Sequence, residues 1–512
     1  MKNRFLVLDF GSQLTQLIAR RLRELNYYSE VHPCDYPIEK IRAFGPAGII
    51  LSGGPSSVYE AQAPTADVKE LLQVSPVLGI CYGMQLIAHQ LGGVVETSAH
   101  REYGFNRVKW SAPFGDIPTE QKVWMSHGDI VRKVPPGFEV VGLSEGNHPA
   151  AMQGPRVWAV QFHPEVAHTE KGEQILASFA RDLCQAEATW DPPHIAEHLM
   201  QVAGKLVGTE DHVLCALSGG VDSSVVATLL TKTLGAPRVH CVFVDTGLLR
   251  KNEYETVMQT YKDVGLNVKG VDASQKFLQG LAGISDPESK RKTIGRLFID
   301  IFEENLSQLP VAKEKIKWLA QGTLYPDVIE SFSAKGGPSQ TIKSHHNVGG
   351  LPEKMKLKLV EPVRDLFKDE VRRIGAELGL PQAMLWRHPF PGPGLAIRIM
   401  GEVTVENLRI LREADHVFIS KLREKNLYHK IWQAFCVLLP VKTVGVMGDG
   451  RTYDQVLALR AVTSHDGMTA DWFPFEFDFL REVSNEITNK VKGINRVVYD
   501  VTSKPPATIE WE

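Results

Sequence analysis

The chain alternates short apolar runs with longer segments of helical periodicity. Phe5–Asp9, Gly48–Leu51, Val77–Ile80 and Val157–Phe162 are apolar runs of strand length. Such runs suit strands buried on both faces. Gln13–Leu25, Met84–Leu91 and Glu170–Cys184 read as helices. That alternation predicts a layered α/β domain. Ala186–Pro193, with its Trp-Asp-Pro-Pro stretch, reads as a linker to a helix over Ile195–Leu206. A second alternation follows, with strands at His212–Leu217, Val239–Val244, Asn267–Val271 and Ile316–Ala320. Helices are expected over Pro287–Asn305 and Lys368–Leu378. The last third changes character after a stiff connector, His388–Gly394. A helix over Val405–Lys425 precedes β-rich runs at Ala434–Val441, Val444–Met447, Val456–Val462 and Arg496–Val501, with a helix at Glu476–Lys492. The expected fold class is α/β: two doubly wound α/β domains, over residues 1–187 and 188–387, then a small α+β domain over 388–512.

Composition narrows the class without naming the chemistry. The chain has 512 residues, 43% hydrophobic and 23% charged, as expected of a globular protein of two to four domains. A net charge of −3 offers no electrostatic attraction for nucleic acid or an anionic membrane, so neither is expected as a partner. No run approaches the ~20 apolar residues of a membrane span. Cys34, Cys81, Cys184, Cys215, Cys241 and Cys436 are scattered with no CxxC pair. That argues against a disulfide framework or a zinc knuckle and fits a reducing, cytoplasmic setting.

Two local patterns carry chemistry. The first is Ser218-Gly219-Gly220-Val221-Asp222-Ser223-Ser224, between a predicted strand and a predicted helix. A glycine-rich turn at a helix N-terminus presents backbone N–H groups and the helix dipole to an anion. No Lys lies in the turn, so it is not the GxxxxGK[ST] phosphate loop. Asp222 instead is expected to hold a cation on the phosphates. The second pattern is Cys81 in Gly79-Ile80-Cys81-Tyr82-Gly83, directly after a strand. A nucleophile on a tight strand-to-helix turn is exposed, and the helix N-terminus favours an anionic sulfur. His163 and Glu165 in Gln161-Phe162-His163-Pro164-Glu165 complete a nucleophile–base–carboxylate set. Backbone N–H groups of Gly54, in Ser52-Gly53-Gly54-Pro55, and of Tyr82 are candidates to stabilise an oxyanion.

The first loop resembles that of the N-type ATP pyrophosphatases, and residues 1–185 resemble the triad-type class I glutamine amidotransferases. Four further motifs extend the likeness over essentially the whole chain: Trp124–Asp129, His388–Arg398, Gly448–Asp454 and the segment Ser503–Glu512. All resemble the GMP synthetase family. The resemblance implies that Cys81 attacks glutamine, His163 shuttles the proton and Glu165 orients it. It implies adenylylation of xanthosine monophosphate (XMP) by ATP with Mg2+, then amination by the released ammonia. Ser218–Ser224 would hold the pyrophosphate with Asp222 on the metal, and Lys368 would contact phosphate. A solvated first-turn lysine is the plainer reading of Lys368. Arg291, Lys504 and Glu510 would contact XMP, although Lys290-Arg291-Lys292 also reads as a basic helix face. The family's C-terminal domain implies a homodimer; runs such as Phe435–Val441 fit that or an ordinary core. An asparagine synthetase would start with a nucleophilic cysteine at position 2, where this chain has Lys2.

Overall fold

The computed structural model describes residues 3–306, 308–309, 311–325, 357–447, 450–464 and 469–512. Gly448 and Asp449 of the Gly448–Asp454 motif lie outside the described residues. The chain divides into two compact units, residues 1–194 and 195–512.

The first unit is built on one sheet of nine strands: β1 (Arg4–Asp9), β2 (Tyr28–Pro33), β3 (Gly48–Leu51), β4 (Val77–Ile80), β5 (Val94–Trp110), β6 (Glu120–Lys133), β7 (Glu139–Ser144), β8 (Pro149–Gly154) and β9 (Val157–Val160). Their order is β2-β1-β3-β4-β9-β8-β7-β5-β6. The pairs from β2 through to β9 are parallel. Those from β9 to β6 are antiparallel. Every residue of β3 and β4 is buried, as an apolar run in a covered parallel sheet must be. The antiparallel strands β5 to β8 carry no continuous apolar run, and in β6 the cause is polar residues at alternating positions. Along β6 exposed and buried residues alternate from Glu120 to His127.

Two expectations are corrected here. The helix expected over Glu170–Cys184 is α-helical only over Gly172–Ser178 and continues as a π-helix over Phe179–Leu183. The segment read as a linker is anchored as far as Trp190, which is buried, packs against Tyr28 with ring centroids 4.6 Å apart and donates its backbone N–H to Asn26 O at 2.8 Å. An indole packed in this way makes the stretch part of the first unit.

The second unit holds two sheets. One is fully parallel, with strands β10 (His212–Leu217), β11 (Val239–Asp245), β12 (Val268–Asp272), β13 (Ile316–Ala320) and β14 (Lys358–Val360) in the order β12-β11-β10-β13-β14. The other is a long antiparallel hairpin, β15 (Gln433–Met447) and β16 (Gly450–Thr463), with β17 (Asp471–Trp472) and a parallel β18 (Ile494–Tyr499) both paired to β16. The two runs expected at 434–441 and 444–447 are one strand, irregular between Leu439 and Lys442. Helices Val405–Glu424 and Phe477–Lys490 pack on this sheet through residues such as Leu411, Phe418, Phe479 and Val483. One hydrophobic core runs from Leu214 and Val242 of the parallel sheet to Leu411, Phe418 and Leu457 beyond the connector. No helix among the described residues is long and apolar enough to cross a membrane.

Candidate active site

In the first unit, three neighbouring parallel strands deliver their carboxyl ends to one place. β3 leads into Ser52–Gly54, β4 into Cys81 and β9 into His163. Cys81 has φ 53° and ψ −105°, and the helix Tyr82–Gln90 starts directly after it. Its backbone N–H donates to Val160 O at 2.8 Å, which ties the turn to β9. The flanking glycines are required by close approach. A Cβ at Gly83 would lie 2.5 Å from Leu51 O, and one at Gly79 would lie 2.6 Å from Ile87 Cδ1. A Cβ at Gly53 would sit 3.0 Å from His163 Cε1 and 3.7 Å from Cys81 Cβ, so this loop closes over both side chains. Gly54 is pressed against β1 in the same way, 2.5 Å from Phe10 O.

His163 and Glu165 are buried, and His163 Nδ1 lies 2.8 Å from Glu165 Oε1. Burial opposes a charge on His163, but the Glu165 carboxylate and the Cys81 side chain outweigh it and push its pKa up to about 11. The backbone of His163 is fixed by its N–H to Trp124 O, 3.1 Å, and by Thr169 Oγ1 donating to His163 O, 2.6 Å. Cys81 Sγ donates to Ser126 O at 3.7 Å. The motif Trp124–Asp129 therefore lines Cys81 from β6. Tyr82 is buried, its hydroxyl donating to Pro64 O at 2.7 Å, and burial pushes its pKa up to about 12.

In the second unit the Ser218–Ser224 loop leaves the carboxyl end of β10, the strand flanked by β11 on one side and β13 on the other. That is the switch point at which open parallel sheets bind ligands. Gly219 has φ +73°, and the helix Val221–Leu234 begins two residues later. Ser218 Oγ lies 3.1 Å from Ser223 Oγ, and Ser224 Oγ donates to Gly220 O at 2.8 Å. Lys368, at the start of helix Lys368–Glu377, is ion-paired with Asp222 Oδ2. Asp222 Oδ1 is buried and has no hydrogen-bond partner among the described residues. Two neighbours of the loop were not foreseen. A Cβ at Gly322, just after β13, would lie 3.1 Å from Asp222 Cβ. Arg387 donates to Gly219 O at 3.0 Å and pairs with Glu253; burial, then Arg250, lowers its pKa to about 10.

Lys504 and Glu510 lie in one C-terminal segment, and Arg291 reaches it from its helix. Arg291 Nη2 donates to Glu512 O at 2.6 Å. Glu510 accepts from Arg398 Nε and Nη2 at 3.1 and 2.8 Å and from Gln433 Nε2 at 2.6 Å. Lys504 exchanges backbone hydrogen bonds with Ala470. Ala470, Trp432 and Arg387 are among the residues lining an open cavity of about 700 Å³. Gln433, Arg398 and Arg387 were missed because their partners are distant in sequence.

With this geometry in hand, the likenesses to known proteins can be placed. Residues 6–183 match the model for glutamine amidotransferase class-I, residues 212–298 that for the phosphoadenosine phosphosulfate reductase domain, and residues 420–511 that for the GMP synthase C terminal domain. A protein of Bdellovibrio bacteriovorus named GMP synthase [glutamine-hydrolyzing] is 70% identical over 508 residues, covering 99% of each chain. The chain belongs to the glutamine-hydrolysing GMP synthase family. A relative of the same name from Cytophaga hutchinsonii is 54% identical over 518 residues, covering all of both chains. For a GMP synthase, the Cys81 cluster falls in the amidotransferase match and the Ser218–Ser224 loop in the reductase-type match. Glu510 falls in the C-terminal match.

Proposed function

We infer that the chain converts ATP, XMP, glutamine and water to AMP, diphosphate, GMP and glutamate. The observation that carries this is the full-length identity with glutamine-hydrolysing GMP synthases. The geometry supports a division of labour. Cys81 attacks the glutamine carboxamide, and the N–H groups of Gly54 and Tyr82 stabilise the oxyanion. His163, held as an imidazolium by Glu165, donates the proton that lets ammonia leave. At the other site, Ser218–Ser224 cradles the β- and γ-phosphates of ATP, and Lys368 exchanges its bond to Asp222 for phosphate.

The buried Oδ1 of Asp222, without a partner among the described residues, fits a divalent cation. Mg2+ commonly takes only one or two protein carboxylates and completes its shell with phosphate oxygens and water. Bound there it would neutralise phosphate charge; Asp222 is the residue that would hold it. XMP is placed by Arg291, Lys504 and Glu510, with Gln433 beside Glu510. The three functional domains of this reading are those expected over 1–187, 188–387 and 388–512, the first extended to take in Trp190, and the protein is cytoplasmic. A homodimer through the last domain is supported by the outer end of the β15–β16 hairpin, where Val441, Val444, Val446 and Tyr453 are exposed.

The test is an incubation with ATP, Mg2+, glutamine and XMP, scored for AMP, diphosphate and GMP. Equimolar release of all three, absent without XMP, is the expected result. Glutamate without diphosphate would instead mark a plain glutaminase.

A further inference from the structure

Three cations of the second unit are fully buried: Lys290, Arg398 and Arg460. Among the described residues these are all the fully buried cations of that unit, and all three point into the segment Asp500–Glu512. Arg460 donates to Thr502 O at 2.5 Å and Thr508 O at 3.2 Å, and lies 3.3 Å from Asp500 Oδ2. Arg398 grips Glu510 with two nitrogens. Lys290 Nζ donates to Ala396 O at 3.2 Å, Ile399 O at 2.7 Å and Glu512 Oε2 at 2.6 Å. Its neighbour Arg291 holds the Glu512 carbonyl. One ammonium thus joins three pieces of chain: the helix that carries Arg291, the stretch after the Pro-Gly connector, and the C-terminal segment that carries Lys504 and Glu510.

Burying a cation is costly, and a buried ion pair adds little net stability over an apolar replacement of the same size. Three on one short segment are explained by geometry rather than by stability. We propose that Lys290 is a positioning residue of the acceptor-nucleotide site, setting Arg291 and Glu510 in register through its bond to Glu512. Arg398 and Arg460 do the same work along the segment. This rests on the functional reading above, and deepens it: the acceptor site is preorganised by a cationic clamp that itself touches no substrate.

The test uses the full chain. Lys290→Met keeps the buried stem and removes the ammonium. The KM for XMP is expected to rise about tenfold or more, the scale of one lost charged hydrogen bond. The KM for ATP should stay within about twofold, because the phosphate loop has its own supports. Glu512→Gln is expected to shift the XMP KM in the same direction, and the double variant to add little to Lys290→Met. An unchanged XMP KM in a Lys290→Met protein with the wild-type melting temperature overturns the proposal. So do equal rises in both KM values, or full additivity in the double variant. If Lys290→Met does not fold, Glu512→Gln decides alone, and an unchanged XMP KM there is fatal. Wild-type protein that releases no diphosphate with XMP would sink the functional reading instead.

Discussion

Cys81 owes its place to a backbone conformation, φ 53°, that side-chain-bearing residues seldom adopt. Such strain persists where the surroundings over-determine it, and here β4, β9 and the following helix do so. Cys81→Ala should lower glutamine-dependent GMP synthesis by on the order of 10⁴-fold or more. Synthesis from ammonia at alkaline pH should survive, since ammonium is not nucleophilic but ammonia is. Comparison of the two nitrogen sources measures this directly. His163 sets a pH dependence. Its folded pKa, about 11, lies above the ordinary histidine value of 6.5. The stability it contributes is therefore complete below about pH 6.5 and lost as pH rises through 11. Glu165→Gln removes the main charge that favours the imidazolium. The loss should then begin at lower pH, and the alkaline limb of glutaminase kcat/KM should move the same way. Thermal melts and rate profiles across pH 7 to 11 read both. Asp222→Ala should cut synthesis about 100-fold or more with either nitrogen source, as expected when charge stabilisation at a phosphate is lost. Retained ammonia-dependent turnover would remove Asp222 from that role.

At the scale of elements, both loops were legible because each is one strand, one turn and one helix within a dozen residues. Glycine spacing revealed the Cys81 turn, and the contacts give the cause: Gly83 lets the helix abut Leu51 O. Gly83→Ala should destabilise the first unit by about 2 kcal/mol or more, since backbone must shift to admit the methyl. A melt of the variant reads this, with the second unit's diphosphate chemistry from ammonia as an internal control. The antiparallel strands β5 to β8 stayed hidden because polar residues and glycines interrupt their apolar positions, most regularly along β6. The π-helical end over Phe179–Leu183 had no signal in residue type at all.

At the scale of the molecule, the exposed end of the β15–β16 hairpin is a cluster of apolar side chains that a single chain leaves unexplained. Val446 is 75% exposed and Tyr453 61%. If the proposed homodimer forms through this end, Val446→Asp, alone or with Tyr453→Asp, should give monomers while the variant still melts cooperatively. Sedimentation velocity distinguishes the two masses, and an unchanged sedimentation coefficient would move the interface elsewhere.

The sequence by itself determined the two loops, the candidate set Cys81, His163 and Glu165, and the α/β class. Those signals are local: residue type, glycine position and apolar period within a few tens of residues. Tertiary structure alone decided that β3, β4 and β9 lie side by side, so that Gly53 closes over Cys81 and His163. It alone decided that Lys290 reaches Glu512 and Arg398 reaches Glu510, across 222 and 112 residues of chain. No spacing rule links residues so far apart. A buried lysine and a solvated one look the same in a sequence, because burial is a property of what the rest of the chain packs around them.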